Sequence, residues 1–207
     1  MDISTFDATR LTFGPKRDKY VSTTVDTGFP RLVLGTDEMP LRAPFGVSTP
    51  FSGDAESDRL TFDLEIDDEL KSALTAIDEQ VVAAAVAKSQ EWFGKVLTKE
   101  AIRAMHMPLV QPPKKEEYKA MVRTKFSLKR DKETTVYVPK GGGVFRMGGK
   151  GDIAKNSEVR VQVALSSVMI GNRQFGVSLT CEQVMIMAAP EVSVGIGVFG
   201  EYVVEGA

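Results

Sequence analysis

Residues 111–160 carry thirteen basic and six acidic side chains, with aromatic residues interspersed among the basic ones. Proteins that hold single-stranded nucleic acid combine a basic groove, which contacts phosphates, with rings on which bases stack. We therefore predict that ten residues contact a nucleic acid. Their basic side chains would contact phosphates and their aromatic rings would stack on nucleobases: Arg123, Lys125, Phe126, Lys129, Arg130, Phe145, Arg146, Lys150, Arg160 and Arg173. Second-rank candidates are Lys95, Lys99, Lys114, Lys115 and Tyr118.

Three carboxylates on one strand face offer a different chemistry. Asp63, Glu65 and Asp67 alternate with apolar residues in a predicted strand, so they share its outer face. Oxygen ligands of this kind hold hard divalent cations, and a metal-dependent enzyme that acts on nucleic acid is therefore one hypothesis. The alternative is a solvated strand face before a helix. Because no nucleophile or base accompanies the carboxylates, we predict no catalytic residue, no metal and no cofactor.

The scarcity of cysteine and histidine excludes several other kinds of site. The sequence has one cysteine, Cys181, and one histidine, His106. A single cysteine excludes an internal disulfide and a cysteine-based metal cluster, and it fits a reducing compartment. A single histidine excludes a multi-histidine metal site and leaves little room for Ser-His-Asp catalysis. We expect His106 to pack or to lie at the surface rather than to react.

A glycine-rich segment at residues 140–152 raises the hypothesis of a nucleotide site. A P-loop requires Gly, four residues, and then Gly-Lys-Ser/Thr at the start of a helix. Here Val144 replaces the first glycine, Gly151 follows the lysine, and the next predicted element is a strand. We therefore predict a flexible basic loop, which either wraps a polyanion or merely connects two strands.

A β-hairpin at residues 158–188 must position much of this chemistry. Apolar and polar residues alternate on both sides of Gly171-Asn172, and a period of two indicates strands with one buried face. Glycine and asparagine tolerate the positive φ of a tight turn. Gly176 within the second strand predicts a bulge or a sharp bend, as small barrels need. The hairpin is therefore predicted to form the back half of a small β-barrel.

Helices are predicted between the strands. The acids Asp67-Asp68-Glu69 precede an apolar stripe at three- and four-residue spacing, which predicts a helix that continues to Gly94. Thr98 is a good N-cap for a second short helix, which Pro108 ends. Core packing is the favoured interpretation of Trp92-Phe93, although one ring is a candidate stacking platform.

Length and charge bound the organisation of the chain. At 207 residues it fits one domain with elaborations. No apolar run is long enough to span a membrane, and the first residues lack the pattern of a secretory signal. Residues 54–82 carry ten acidic and two basic side chains. Such segregation predicts one face for an anionic partner; the alternative is separate acidic and basic surfaces without a partner.

Four segments, in this order, resemble those of a known family: residues 44–48, residues 89–100, residues 108–110 followed by Lys114-Lys115, and residues 158–186. Between about residues 30 and 188 the chain resembles the single-stranded DNA-binding proteins of nucleocytoplasmic large DNA viruses, which are distantly related to the phage T7 type. Trp92-Phe93-Gly94-Lys95 is the most specific part. Two features depart from the family: Val168-Met169-Ile170 stands where an aromatic is common, and the C-terminal tail has only three acids.

The resemblance implies a fold and a function. The fold is mainly β with an inserted helical segment, an OB-fold-like five-stranded barrel with elaborations. Residues 1–188 would form this domain, with the helical insert at about 67–106, and residues 189–207 a C-terminal strand or a mobile tail. The function is non-enzymatic, sequence-tolerant binding of single-stranded DNA in DNA replication, recombination or repair, with RNA left open.

Partners and place follow from the same resemblance. Beside DNA, replication proteins and a second copy of the chain are candidate partners, and a membrane is not. We expect an intracellular protein, in the nucleus, the cytoplasm or a viral replication site of a host cell. The alternative function is a structural or virion-associated β-rich protein whose basic segment contacts another protein.

Overall fold

The computed structural model of the protein describes residues 1–26, 28–49, 58–113, 115–188, 193–197 and 200–204. Its strands are β1 (Thr12–Arg17), β2 (Tyr20–Thr24), β3 (Arg31–Leu34), β4 (Leu41–Ala43), β5 (Val47–Ser48), β6 (Arg59–Glu65), β7 (Val110–Gln111), β8 (Met121–Ser127), β9 (Thr135–Gly141), β10 (Val144–Gly148), β11 (Ser157–Ile170), β12 (Phe175–Ala188), β13 (Ser193–Gly197) and β14 (Gly200–Val204). Its α-helices are α1 (Asp68–Ala87), α2 (Ser89–Phe93) and α3 (Lys99–Met105). None of these helices has the length and apolarity that crossing a membrane requires.

The predicted hairpin is the centre of the fold. The strands β11 and β12 pair antiparallel from Glu158 and Ala188 to Ile170 and Phe175, as the alternation predicts. None of the register shifts along the pair falls at Gly176, so the prediction of a bulge there is wrong. A Cβ at Gly176 would lie 2.7 Å from the carbonyl oxygen of Met107. Glycine is needed because another segment of backbone approaches closely.

Strands on both sides of the hairpin complete one large sheet. The outer edge of β11 pairs with β2, β3 and β4 in turn, while β12 pairs in parallel with β8 and β9. On the other side of β8 lie β6 and then β5. The remaining described strands, β13 and β14, pair only with each other. The hairpin thus joins the N-terminal strands to those that follow the helices.

The sheet does not close into a barrel through hydrogen bonds. Twelve strands belong to it, and no pairing joins β4 to β6 among the described strands. The two strands meet through the ion pair of Arg42 with Glu65, whose N–O distance is 3.4 Å. The protein is mainly β with a helical segment, and the prediction of a five-stranded barrel is not confirmed.

The helices lie between β6 and β8, and their starts follow the predicted caps. The Asp67 carboxylate accepts a hydrogen bond from the Leu70 amide at 2.8 Å, and Thr98 caps α3 through the Ala101 amide at 3.2 Å. The prediction of one helix up to Gly94 is wrong, because the chain leaves helical geometry at Lys88. The Lys88 ammonium donates to the distant Phe13 carbonyl oxygen at 2.7 Å, a contact that local sequence does not reveal.

The glycine-rich segment is largely a hairpin, β9–β10, and not a flexible loop. The register pairs Val144 with Gly141 and Met147 with Tyr137. Gly141, Gly142 and Gly143 all have positive φ, which only glycine adopts without strain, so they make the sharp reversal. The predicted loop is therefore wrong for residues 144–148, and their side chains have the fixed directions of a strand.

Candidate nucleic-acid interface

The outward face of β6 and β8 carries the first group of predicted contacts. In the antiparallel ladder Thr61 pairs with Lys125, and Asp63 pairs with Arg123. Alternation directs Arg123 and Lys125 outward, while the intervening residues of β8 are buried. These two side chains occupy the place that the sequence predicts for them. We call the outward side of these two strands the ladder face.

Phe126 is a correction to the predicted set. Its side chain is only 1% exposed and packs edge to face against Phe62, with ring centroids 6.2 Å apart. Alternation along β8 places it inward, on the side opposite Lys125. Phe126 is therefore a core residue and offers no ring to a base.

Lys125 has the electrostatics of an anion contact. Its ammonium donates to the Ser178 hydroxyl at 2.9 Å, and no salt bridge joins it to a carboxylate in the described part of the chain. Burial, and to a lesser degree the charge of Arg59, lowers the pKa of Lys125. Loss of hydration without a counter-ion disfavours the charged form. An incoming phosphate would supply the missing negative charge at this position.

Arg123 is already neutralised by a partner. Its guanidinium donates two hydrogen bonds to the Asp63 carboxylate, at 2.7 and 2.8 Å, and this partner raises the pKa of Arg123. Since Glu65 pairs with Arg42 and Asp67 caps α1, each carboxylate of the proposed metal set has a structural role. No metal-binding cluster of three ligands occurs among the residues that the structure describes. The metal-enzyme hypothesis gains no support.

The loop between β8 and β9 continues the ladder face. Lys129 and Arg130 are exposed here, next to Asp131, Lys132 and Glu133. The loop borders an open cleft of about 620 Å³ above β11 and β12.

An aromatic ring that sequence reasoning missed lines the same cleft. Phe29, which precedes β3, is 53% exposed there. Its neighbour Pro30 is the only hint in the sequence, because proline often precedes an edge strand. The loop residues that line this cleft with Phe29 are Asp131, Lys132 and Glu133, whereas Lys129 and Arg130 do not line it.

The β9–β10 hairpin carries three further predicted residues. Phe145 is 39% exposed and Lys150 is exposed just beyond β10. Arg146 is bound to Asp152, and the hydrogen bond from its guanidinium lowers the pKa of that carboxyl. Arg146 is therefore a partly compensated cation, whereas Phe145 keeps an accessible ring.

Arg160 and Arg173 lie towards opposite ends of the central hairpin. Arg160 on β11 pairs with Asp37 at 3.0 Å and lines a small cleft with Tyr137 and Met185. Arg173 is at the hairpin turn. The ten residues from Arg160 to the end of β11 span roughly 33 Å at the usual rise per residue. The predicted residues therefore do not form one compact patch.

Arg173 instead joins cations from two other segments. An open cleft of about 1010 Å³, here named the tip cleft, is lined by Lys16, Lys19, Lys95 and Arg173 together with apolar side chains. Only Lys95 and Arg173 were among the predicted contacts; Lys16 and Lys19 were missed although they form a basic run beside Gly14-Pro15 in the sequence.

The second-rank candidates lie on other surfaces, apart from Lys95. Lys99, Lys115 and Tyr118 are exposed. Lys115 approaches Glu117 at 3.4 Å and lies 5.6 Å from the centroid of the Tyr118 ring. Lys114 lies outside the described residues.

The single histidine belongs to the interior. The His106 Nε2 atom lies 3.3 Å from an Asp78 carboxylate oxygen, and the His106 ring packs at 5.3 Å from the Phe175 ring. The other Asp78 oxygen accepts a hydrogen bond from the Leu109 amide at 2.8 Å. His106 packs, as expected, and Trp92 is fully buried beside Phe13 and Phe93.

The sequence matches the model of one protein family, but that family has no known function. The sequence model of a family of unknown function (DUF5871) matches residues 52–194, more than half of the chain. No curated protein matches. Membership of the large-DNA-virus family is therefore not confirmed.

Two solved structures have a similar course of the chain. The single-stranded DNA-binding protein from bacteriophage Enc34, in complex with single-stranded DNA, is 11% identical; the alignment covers 88% of this chain and 97% of that chain, with a TM-score of 0.47. For gp2.5, a single-stranded DNA-binding protein encoded by bacteriophage T7, the identity is 14%, the coverage 77% and 86%, and the TM-score 0.49. Similarity at this level does not establish a common function.

Proposed function

We propose that this chain, which belongs to the DUF5871 family, binds single-stranded DNA without sequence preference and without catalysing a reaction. The observation that carries the proposal is Lys125, an outward-facing cation on the ladder face without a carboxylate partner among the described residues. Its neighbours in this region, Lys129 and Arg130, are exposed cations in the adjacent loop. Such a surface favours a polyanion over a neutral ligand.

The order of strands supports an OB-type arrangement. Taking β4, β6, β8, β11 and β12 as five successive barrel strands, the observed neighbours are β4–β11–β12–β8–β6, with the opening between β4 and β6. OB folds are partly open five-stranded barrels that bind oligonucleotides on the face of strands two and three. In this assignment those strands are β6 and β8, which carry the ladder face. The helices lie between the second and third strands of this assignment.

Binding would combine two kinds of contact. Phosphates would lie against Lys125, Lys129 and Arg130, while bases would stack on exposed rings such as Phe29 and Phe145. Stacking on an aromatic ring contributes about 1–3 kcal/mol per base and tolerates any sequence. The phosphate contacts add a term that weakens as salt rises.

The cellular role and location follow only as part of the proposal. A protein that coats single strands serves DNA replication, recombination or repair, inside a cell, where such strands arise. Replication proteins and a second copy of the chain remain candidate partners within the same proposal.

A second candidate function rests on the edge strand β10. Val144, Phe145 and Met147 are exposed there, and β10 pairs only with β9 among the described strands. Exposed apolar side chains on an open strand edge favour contact with another protein. A β-rich structural or virion-associated protein would use this edge, and its complexes would ignore both nucleic acid and salt.

A salt-dependent titration tests the proposal. Fluorescence anisotropy of a labelled, mixed-sequence oligonucleotide of about 30 nucleotides, longer than the 4–16 that one OB fold covers, gives affinity at low and high salt. We expect tight binding at low salt, a negative slope of log affinity against log salt, and weaker binding to duplex. A parallel titration with RNA decides the nucleic-acid preference. Absence of binding at low salt would refute the proposal.

A further inference from the structure

The tip cleft combines a cationic rim with an apolar wall. Lys19 and Lys95 and Arg173 are exposed on its rim, while Met105 and Met169 contribute apolar surface. In the described part of the chain, none of these three cations has a carboxylate within salt-bridge distance. The acid among the lining residues, Asp18, does not balance them. A net positive cleft of this kind attracts a negatively charged ligand.

One cation of the cleft is held in place by the fold. The Lys16 ammonium donates to the Trp92 carbonyl oxygen at 2.6 Å, and the Lys16 amide donates to the Glu91 carboxylate at 3.1 Å. The Phe93 ring lies beside it, half-buried, with its centroid 5.3 Å from that of Phe175. The floor is therefore built from fixed groups, whereas the rim is accessible.

We propose that the tip cleft is a second contact site for single-stranded nucleic acid, with phosphates on Lys19, Lys95 and Arg173 and a base against the ring of Phe93. The inference rests on the proposed function, because it extends the path of the same strand. A neutral or purely apolar ligand does not fit the charge of the rim. A duplex does not offer an unstacked base to the Phe93 ring.

The distance between the ladder face and the tip cleft is short enough for one single-stranded nucleic acid to contact both. Thr180 of β12 pairs with Lys125, and Phe175 begins β12 beside the tip. The five residue steps from Phe175 to Thr180 span roughly 16 Å at about 3.3 Å per residue. A single-stranded nucleic acid bound at Lys125 therefore reaches the tip cleft within a few nucleotides. This length is well inside the roughly 4–16 nucleotides that one OB fold occupies.

The protein contains its own reporter for this cleft. Trp92 is the single tryptophan of the sequence, is fully buried, and lines the tip cleft next to Phe93. The Trp92 ring packs against the Phe93 ring with centroids 6.4 Å apart, so a base held against Phe93 should change Trp92 emission through this contact. Contacts confined to the ladder face should leave the emission unchanged.

The test compares two double variants by anisotropy and by Trp92 emission with the oligonucleotide of about 30 nucleotides. Lys19→Ala/Lys95→Ala removes two rim cations; Lys71→Ala/Lys155→Ala removes two exposed lysines that do not line the cleft. Each lost phosphate contact lowers the salt slope by about 0.7, so we expect the rim variant to lose about 1.4 and roughly tenfold in affinity at low salt. The control variant should keep the wild-type slope, and both should keep the wild-type melting temperature.

The outcomes separate the two proposals. If wild-type protein binds and the rim variant matches it in slope and affinity, the tip-cleft inference is wrong and the proposed function stands. If wild-type protein binds no oligonucleotide, both fail. An equal loss in the control variant would reduce the effect to net charge and overturn the inference. An oligoglutamate that changes Trp92 emission at equal affinity would assign the cleft to acidic protein segments instead.

Discussion

At the scale of single residues, Lys125 links the fold to the chemistry of binding. Its folded-state pKa lies below the ordinary lysine value of 10.5 because burial removes water from the ammonium. Between these two pKa values the unfolded chain binds more protons than the folded one, so this group adds stability as pH rises through that window. The charged form at neutral pH is therefore a cost of folding, which a bound phosphate offsets.

The first prediction concerns pH. Affinity for single-stranded DNA should fall as pH rises through the folded-state pKa of Lys125, below 10.5, because the cation is lost. Lys125→Arg keeps its charge at every accessible pH and should remove the part of this fall that Lys125 causes. Anisotropy titrations from neutral to alkaline pH measure it. Identical pH profiles for the variant and the wild type would show that Lys125 does not contact the phosphate.

The second prediction separates two rings by exposure. Phe145→Ala should weaken DNA binding by about 1–3 kcal/mol, the contribution of one stacked base, and leave the melting temperature nearly unchanged. Phe126→Ala should instead lower the free energy of unfolding by about 3–5 kcal/mol, because it opens a cavity in the core. Denaturant unfolding and anisotropy of both variants decide. A Phe145 variant with wild-type affinity would restrict stacking to other rings, such as Phe29.

The same residues show what a sequence can reveal about a site. Alternation along β8 predicts the outward direction of Lys125, and it equally predicts the inward direction of Phe126. It does not predict that Arg123 is paired, because its partner Asp63 is sixty residues earlier in the chain. Nucleic-acid contacts predicted from residue type alone therefore overestimate the unpaired positive charge at the site.

At the scale of elements, local patterns predict the helix starts and the central hairpin well. Caps and periodicity are properties of neighbouring residues, and so Asp67, Thr98 and the strands of residues 158–188 could be read directly. The break at Lys88 has no such local signal, and the Lys88 ammonium there binds the carbonyl oxygen of Phe13, 75 residues earlier in the chain. The glycines of residues 140–152 predict a loop, but the three at the β9–β10 reversal mark only the turn of a hairpin.

The third prediction concerns how α1 is fastened to the segment after α3. Asp78→Ala leaves the Leu109 amide without its acceptor and His106 without its buried neighbour, which should cost about 1–3 kcal/mol. The adjacent exposed pair provides the control: Glu79→Ala removes a bidentate contact with Arg103 at the surface. Denaturant unfolding should give a clearly lower midpoint for Asp78→Ala and almost no shift for Glu79→Ala. Equal shifts would contradict a special role for the buried carboxylate.

At the scale of the whole molecule, the tip cleft illustrates what topology alone creates. Its cations come from residues 16–19, Lys95 and Arg173, which meet only when β1, α2 and the hairpin turn are packed together. Net charge per segment, the quantity visible in the sequence, points to residues 111–160, which contain none of these cations. The site therefore extends beyond the basic region that composition indicates.

The fourth prediction uses the single cysteine as a probe of global opening. Cys181 is 1% exposed on β12, and burial raises the pKa of its thiol, so the native protein should resist thiol reagents. Modification should then follow unfolding of the sheet. Single-stranded DNA at about 100 times its Kd should slow modification by roughly 100-fold through mass action. A small free thiol in the same mixture is the control, and rapid labelling of native protein would contradict the buried position.

The pairing of β11 with N-terminal strands has a consequence for synthesis on the ribosome. Its partners β2, β3 and β4 all end by Ala43 and are made long before β11, which begins at Ser157. Thr23, for instance, donates its hydroxyl to the Leu165 carbonyl, 142 residues away. A chain with so high a contact order closes its long loops late and folds slowly. The edges of β2, β3 and β4 therefore stay unpaired until β11 has been made, so cells that overproduce this protein should need chaperones at that stage.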